Sequence, residues 1–307
     1  MNERILKNLP ASIRQKLLNR AKADNRPFNE LLQYYASERF LYRLYQSAHA
    51  DRFVLKGAMM LRVWRSPECR ATMDIDMLGR TSNREADITA QFRDILSVNV
   101  EPDGLIFDLD SIIAQKIAED ADYEGIRVRL RCHLDSARIN LQIDLGFSDK
   151  VFPEPEIYKI PTIIDLPAPM LLCYSRESSI AEKLHAMVKL DTLNSRMKDF
   201  YDIWMLARQF DYEGGLLSGA ISQTFSQRKT VIPDEPVALT AAFAQNKQAQ
   251  WAAFHRRLKQ DTLPEDFAEV VKVIKDFLMP IISSLRNGKS LDAGWTAAGH
   301  WEDLRRM

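Results

Sequence analysis

The hydrophobic positions of this chain change period twice. From Pro10 to about residue 50 they recur at helical spacing, with Ile13, Leu17 and Leu18 on one stripe and Leu31, Leu32, Tyr35, Phe40, Leu41 and Leu44 on the next. Pro10 and Pro27 stand where each helix would begin, because proline's fixed φ suits a first turn and its missing N–H is no loss there. Phe53-Val54-Leu55 predicts a short strand running into Lys56-Gly57, followed by a helical Met59–Trp64. A strand over Ala71–Leu78 and a helix over Asp87–Leu96 come next.

The clearest alternation spans 126–147. Ile126, Val128, Leu130 and Cys132 alternate with Arg127, Arg129, Arg131 and His133; Ile139, Leu141, Ile143 and Leu145 alternate with Asn140, Gln142, Asp144 and Gly146. A two-residue turn at Asp135-Ser136 makes this an antiparallel hairpin in which 134 faces 137, so that 127 faces 144 and 129 faces 142. The arginines and Asp144 then share one face. Five prolines between 153 and 169 predict an edge strand and a crossing loop. Helical spacing returns over about 178–192, 198–210, 214–227, 247–260 and 264–286. The expected class is α+β: a helical segment over 1–50, a mixed-sheet domain over 51–170 and a helical domain over 171–307.

Composition narrows the classes. With 307 residues, 46 % of them hydrophobic and 27 % charged, the chain reads as a soluble globular protein and neither a disordered nor a collagen-like one. Lys plus Arg equals Asp plus Glu at 42 each, which excludes a uniformly basic coat but not a local grip on phosphates. The neutrality conceals a gradient: nine basic and four acidic residues in 1–50, nine against fifteen in 51–125, twelve against ten in 214–307. An acidic middle is where a cation site would be sought. Cys69, Cys132 and Cys173 form no disulfide framework and no CxxC pair. The start lacks the apolar core of a signal peptide, and no apolar run reaches the roughly eighteen residues of a membrane span, so a reduced, cytoplasmic protein with no membrane partner is expected.

The candidate chemistry lies in that middle. Asp74 and Asp76 flank Ile75, and residues two apart in a strand share a face about 6–7 Å apart, close enough for two carboxylates to hold one or two Mg²⁺ ions while Ile75 points to the core. Lys56-Gly57 ahead of a helix is a turn where backbone can approach a phosphate. Asp144 has two readings: the third carboxylate of a two-ion site, or the cross-strand ion-pair partner of Arg127. Arg127, Arg129 and Arg131 either meet nucleotide or RNA phosphates or form a solvated face. Arg256, Arg257, Lys259, Lys272 and Lys275 are likewise a basic surface with two readings. The five histidines show no metal spacing.

Gly57, Asp74-x-Asp76, Asp144, then Ala181-Glu182-Lys183-Leu184-His185-Ala186 and Arg196-Met197-Lys198-Asp199-Phe200-Tyr201-Asp202, resemble in order the four motifs of the AbiEii/AbiGii toxin family, within the polymerase-β-like nucleotidyltransferase superfamily. One departure is Ala58, where the superfamily usually has Ser. The resemblance implies a nucleotidyltransferase of a bacterial toxin–antitoxin or phage-defence system, with NTP as substrate, Mg²⁺ as cofactor, a cognate antitoxin as partner and an RNA, such as the tRNA 3′ end, as acceptor. Nucleotide transfer to a protein, or a non-catalytic scaffold that engages the antitoxin, are the alternatives. The expected metal ligands are Asp74, Asp76 and Asp144, with Asp144 helping to deprotonate the acceptor. Lys56, Gly57, Ala58 and Thr72 would border the nucleotide. On the first motif helix, Ile180, Leu184 and Met187 form the buried stripe with Lys183 at its border, which suits Lys183 to a phosphate. Asp199 would orient it; Asp202 either joins the chemistry or pins two helices together; Arg196 and Lys198 either meet phosphates or are solvated.

Overall fold

The computed structural model describes residues 8–66, 70, 72–117, 125–147, 150–258, 260, 262–297 and 299–303. Cys69, Ala71 and Lys259 lie outside them. The chain forms two compact units: Met1–Ser148 with Glu156–Cys173, and Asp149–Pro155 with Tyr174–Met307.

The first unit is a sheet covered by helices. Helix α1 (Leu9–Ala23) has Pro10 in its first turn and is capped by Asn8, whose side chain accepts from the Ala11 N–H; α2 (Phe28–Gln46) follows directly on Pro27. Strands β1 (Phe53–Lys56), β2 (Asp74–Gly79), β3 (Leu105–Ile117), β4 (Gly125–Leu134), β5 (Ala137–Phe147), β6 (Glu156–Lys159) and β7 (Met170–Cys173) form one mixed sheet in the order β3-β4-β5-β2-β1-β7-β6. Short helix α3 (Met60–Val63) and α4 (Glu85–Leu96) interrupt the strands. The core lies between one face of the sheet and α1, α2 and α4; Phe92 of α4 stacks on Phe40 of α2 and meets Phe53 of β1 edge-on.

The β4–β5 hairpin has the expected register, Leu134 opposite Ala137 and Arg127 opposite Asp144. The proline-rich edge strand is β6. Strands β3 and β7 were not anticipated, and β3 shows why. Leu105 and Phe107 pair with the inward residues Leu134 and Cys132, but after a register shift between Asp108 and Ile113 it is Ala114 and Lys116 that pair with the inward Val128 and Ile126. A bulge reverses which parity faces the core, so no single period of two runs through the strand. Ser111 holds the bulge: its hydroxyl donates to the Asp108 carbonyl and accepts from the Arg131 N–H.

Glu38 on α2 is buried, and one carboxyl oxygen accepts from the Ile163 N–H at 2.8 Å. Burial outweighs the nearby Arg39 and Arg62 guanidiniums and pushes its pKa up to about 7. Between its ordinary value and that point the folded chain keeps a proton that the unfolded chain releases, so stability falls as pH rises through the window, by up to about 3 kcal/mol. Glu38→Gln lowers stability evenly with pH and removes this slope; urea unfolding at pH 5 and pH 8 measures it. An unchanged slope would show that Glu38 titrates normally.

The second unit is helical: α5 (Arg176–Leu190), α6 (Met197–Gln209), α7 (Gly214–Gln227), α8 (Ala241–Leu258) and α9 (Phe267–Arg286). Helix α9 is its centre, with Phe267 against Phe200, Phe243 and Trp251. A small sheet the sequence pattern did not announce, β8 (Tyr212–Glu213), β9 (Gly294–Trp295) and β10 (Trp301–Glu302), seats Trp295 and Trp301 against Phe277. The tryptophans Trp204, Trp251 and Trp295 are core residues. Among the described residues no helix is long and apolar enough to cross a membrane.

Candidate active site

In the sheet unit, β1 ends at Lys56 and the chain turns at Gly57, whose φ is 72°. A Cβ there would overlap the Asp76 carboxylate. Glycine is thus required twice, for the sign of φ and for the space in which Asp76 lies against the turn. The expected helix after it is short: a 3-10 turn over Gly57–Met59, then one α turn, Met60–Val63. So short a helix has little macrodipole, and what it offers a phosphate is backbone N–H groups. Ala58 is buried.

Cross-strand pairing aligns the charged side chains in rows. Lys56, Asp76, Asp144, Arg127 and Gln115 are successive neighbours across β1, β2, β5, β4 and β3. The row reads plus, minus, minus, plus, neutral. Along the next row stand Asp74, Gln142, Arg129 and Ile113, and along the third Asn140, Arg131 and Asp108, the last two 3.3 Å apart as an ion pair. Asp76 and Asp144 sit on directly hydrogen-bonded strands, which places their Cβ atoms about 5 Å apart. Asp74 and Asp76 share that face, and Ile75 is fully buried on the other, as its position in the alternation requires.

Gln33 of α2, which the sequence gave no reason to single out, donates to the Met73 and Asn140 carbonyls, tying together the starts of β2 and the Asp144-bearing strand. Thr72 donates its hydroxyl to the Asp74 carbonyl and its N–H to the Tyr34 hydroxyl, so it shapes the entry to β2.

Asp144 takes the cross-strand arrangement. Arg127 binds it with two parallel bonds, Nε to Oδ1 and Nη2 to Oδ2, both 2.8 Å, with about a quarter of each side chain exposed. Both readings of Asp144 therefore meet at one residue, a carboxylate beside Asp76 whose oxygens are turned onto a guanidinium. Among the described residues, no three Asp, Glu, His or Cys side chains close on one point. The donor chemistry of Asp74 and Asp76, hard carboxylate oxygens on a shared face beside a glycine turn, fits Mg²⁺. Asp144 can join them only by leaving Arg127.

In the helical unit, Ser175 caps α5, accepting from the Ser178 N–H, and Ile180, Leu184 and Met187 are buried. Lys183 reaches α6, where its ammonium lies 2.7 Å from Asp202 Oδ2 and 3.3 Å from Asp199 Oδ1. Both carboxylates are about 1 % exposed, so this ammonium neutralises charge that would otherwise be stranded indoors. Arg196 adds a second cation, Nε to Asp199 Oδ2 at 2.6 Å. Four charges thus cancel, and Asp202 holds Lys183 more closely than Asp199 does. Lys198 is exposed.

His185 is buried beside this cluster in sequence but faces elsewhere. Arg228 Nη1 lies 3.2 Å from its Nδ1, and its Nε2 lies 2.9 Å from the Thr230 hydroxyl. A guanidinium only donates, so Nδ1 accepts, Nε2 carries the proton and the ring is neutral. Cys132 and Cys173 are also structural; burial pushes both thiols up to about 12.

The family profile described as Nucleotidyl transferase AbiEii toxin, Type IV TA system, matches residues 39–273. The chain belongs to this AbiEii family. It is accordingly a nucleotidyltransferase toxin of a toxin–antitoxin system, with a nucleoside triphosphate as substrate and an antitoxin as partner. The match contains Gly57, Asp74, Asp76, Asp144, Lys183, Asp199 and Asp202. Among solved structures, JHP933 from Helicobacter pylori is similar at 14 % identity and a TM-score of 0.48, over 83 % of this chain and 96 % of that one. A candidate nucleotidyltransferase from H. pylori is similar at 16 % identity and a TM-score of 0.45, over 84 % and 99 %. A search of the curated proteins finds no match.

Proposed function

We propose that this AbiEii-family enzyme is Mg²⁺-dependent and transfers a nucleoside monophosphate from NTP to an RNA hydroxyl inside the cell, the tRNA 3′ end being the first candidate. The observation that carries the proposal is the carboxylate row: Asp76 and Asp144 side by side on adjacent strands, Asp74 on the same face, and a turn at Gly57 that leaves room for Asp76. Asp74 and Asp76 would hold the ion, joined by Asp144 once it parts from Arg127. When bound, Mg²⁺ neutralises triphosphate charge and makes a hydroxyl more acidic.

The chain's own groups do the rest. Asp144 accepts the acceptor hydroxyl's proton as the new oxygen–phosphorus bond forms at the α-phosphate and the bond to pyrophosphate breaks in line. Backbone N–H groups after Gly57 receive phosphate oxygens, with Lys56, Ala58 and Thr72 at the border. Lys183 is the phosphate ligand assigned in the helical unit, its ammonium fixed by Asp199 and Asp202, with Arg196 and Lys198 as further phosphate donors. Catalysis of this kind is positioning and charge neutralisation.

Incubating the protein with each labelled NTP, Mg²⁺, total RNA and a cell protein fraction tests the acceptor. The expected result is label in RNA, lost with EDTA. Label in protein alone would replace the RNA acceptor with a protein one, and EDTA-resistant label would remove the metal dependence.

A further inference from the structure

We infer that Arg127 is the resident counter-ion of the carboxylate row, occupying Asp144 until a divalent cation takes its place; this rests on the Mg²⁺-dependent reading above. Two carboxylates on neighbouring hydrogen-bonded strands repel, and like charges directly opposite destabilise a sheet. The row meets this with cations at both ends, Lys56 next to Asp76 and Arg127 next to Asp144. The Arg127 contact is more than proximity. Its fork fills both oxygens of Asp144 at 2.8 Å, the geometry in which arginine binds a carboxylate most strongly. Those are the lone pairs a metal ion would need. A cation therefore reaches Asp74 and Asp76 before Asp144, and completes its ligand set only as the guanidinium withdraws.

The hairpin register makes this partner unavoidable. Leu134 opposite Ala137 sets Arg127 opposite Asp144, and the arginine one row on, Arg129, faces Gln142 instead. The two arginines thus differ in a testable way: one competes for the third carboxylate and the other contributes only field. A withdrawn Arg127 remains beside the site as a donor for phosphate oxygens, so nucleotide arrival and the release of Asp144 favour one another. Arg127 is in this sense a positioning residue, acting through Asp144.

Mn²⁺ binding to the nucleotide-free, full-length protein, followed by titration calorimetry, separates the outcomes without any turnover. Arg127→Gln is expected to bind Mn²⁺ about tenfold more tightly than wild type. Arg127→Lys, which keeps the charge and most of the bulk but loses the fork, should gain part of this, and Arg129→Gln should stay within about twofold. In an Asp144→Asn background the Arg127→Gln gain should vanish. An unchanged affinity in both Arg127 variants, with wild-type binding still dependent on Asp74, would overturn the inference while leaving the metal site intact. An equal gain in Arg129→Gln would reduce the effect to net charge and overturn it too. Wild-type protein whose Mn²⁺ binding ignores Asp74 would overturn the metal site and the inference together.

Discussion

Replacing Asp74 or Asp76 by asparagine is expected to lower labelled-nucleotide transfer by about a thousandfold, the worth of several kcal/mol of charge stabilisation at the reacting phosphate. The amide keeps the shape of the side chain but loses the charge that holds a hard cation. Neither position is in the core: Asp74 is exposed and Asp76 half-buried, whereas Ile75 between them is wholly inside. The fold should therefore survive, and circular dichroism with a urea midpoint near that of wild type would show that the loss is chemical. Gly57→Ala provides a geometric counterpart. Its new methyl group meets the Asp76 carboxylate at a backbone angle that side chains rarely adopt, and displacing a catalytic group by about 1 Å costs on the order of a hundredfold. A carboxamide variant that kept more than a tenth of wild-type transfer would exclude the DxD pair as the catalytic centre.

The largest effect on stability is expected away from the site, at Asp103. Its Oδ2 accepts from Arg39 Nε at 3.2 Å and Arg43 Nη1 at 2.6 Å, and its Oδ1 from Arg43 Nη2 and the Leu105 N–H, each at 3.1 Å. Arg39 also donates to the Pro167 carbonyl and lies over the Tyr42 ring. Arg39 is 1 % and Asp103 2 % exposed. Asp103→Ala leaves two guanidiniums indoors without their carboxylate, and breaking a buried pair in this way costs about 3–5 kcal/mol. That is a large part of the roughly 5–15 kcal/mol that holds an ordinary domain together. Urea unfolding followed by far-UV circular dichroism measures it. A loss under about 1 kcal/mol would mean that water or another group repairs the cluster.

The same cluster revises the charge pattern along the chain. The nine basic residues of the first fifty suggest a basic surface, yet Arg39 and Arg43 are interior groups whose partner lies some sixty positions on, in the acidic stretch. Part of the basic and acidic imbalance between segments is one buried ion-pair cluster seen from its two ends. No local pattern reveals this, because helical spacing shows only that Arg39 and Arg43 share a side of α2.

Elements with an unbroken period were legible. The 126–147 hairpin follows from alternation and a two-residue turn, and Arg127 opposite Asp144 follows from that register with no further information. The buried stripe of α5 follows from the spacing of Ile180, Leu184 and Met187. Strand β3 escaped because its bulge reverses the inward parity midway, and β8, β9 and β10 escaped because each is only two residues long.

By itself the sequence determined which residue types are available and which of them share a face: Asp74 with Asp76, the arginines with Asp144, Lys183 beside a buried stripe. It also determined the family, through ordered motifs whose spacing one chain carries whole. Tertiary structure decided the pairings. β5 lies next to β2 rather than elsewhere in the sheet, so Asp144 falls beside Asp76; Asp202, not Asp199 alone, holds Lys183; Arg127 occupies the third carboxylate. Periodicity is a property of one segment and its own backbone. Which charges neutralise one another depends on strand order and helix packing between segments distant in the chain, where exclusion of water makes each choice of partner binding on the rest.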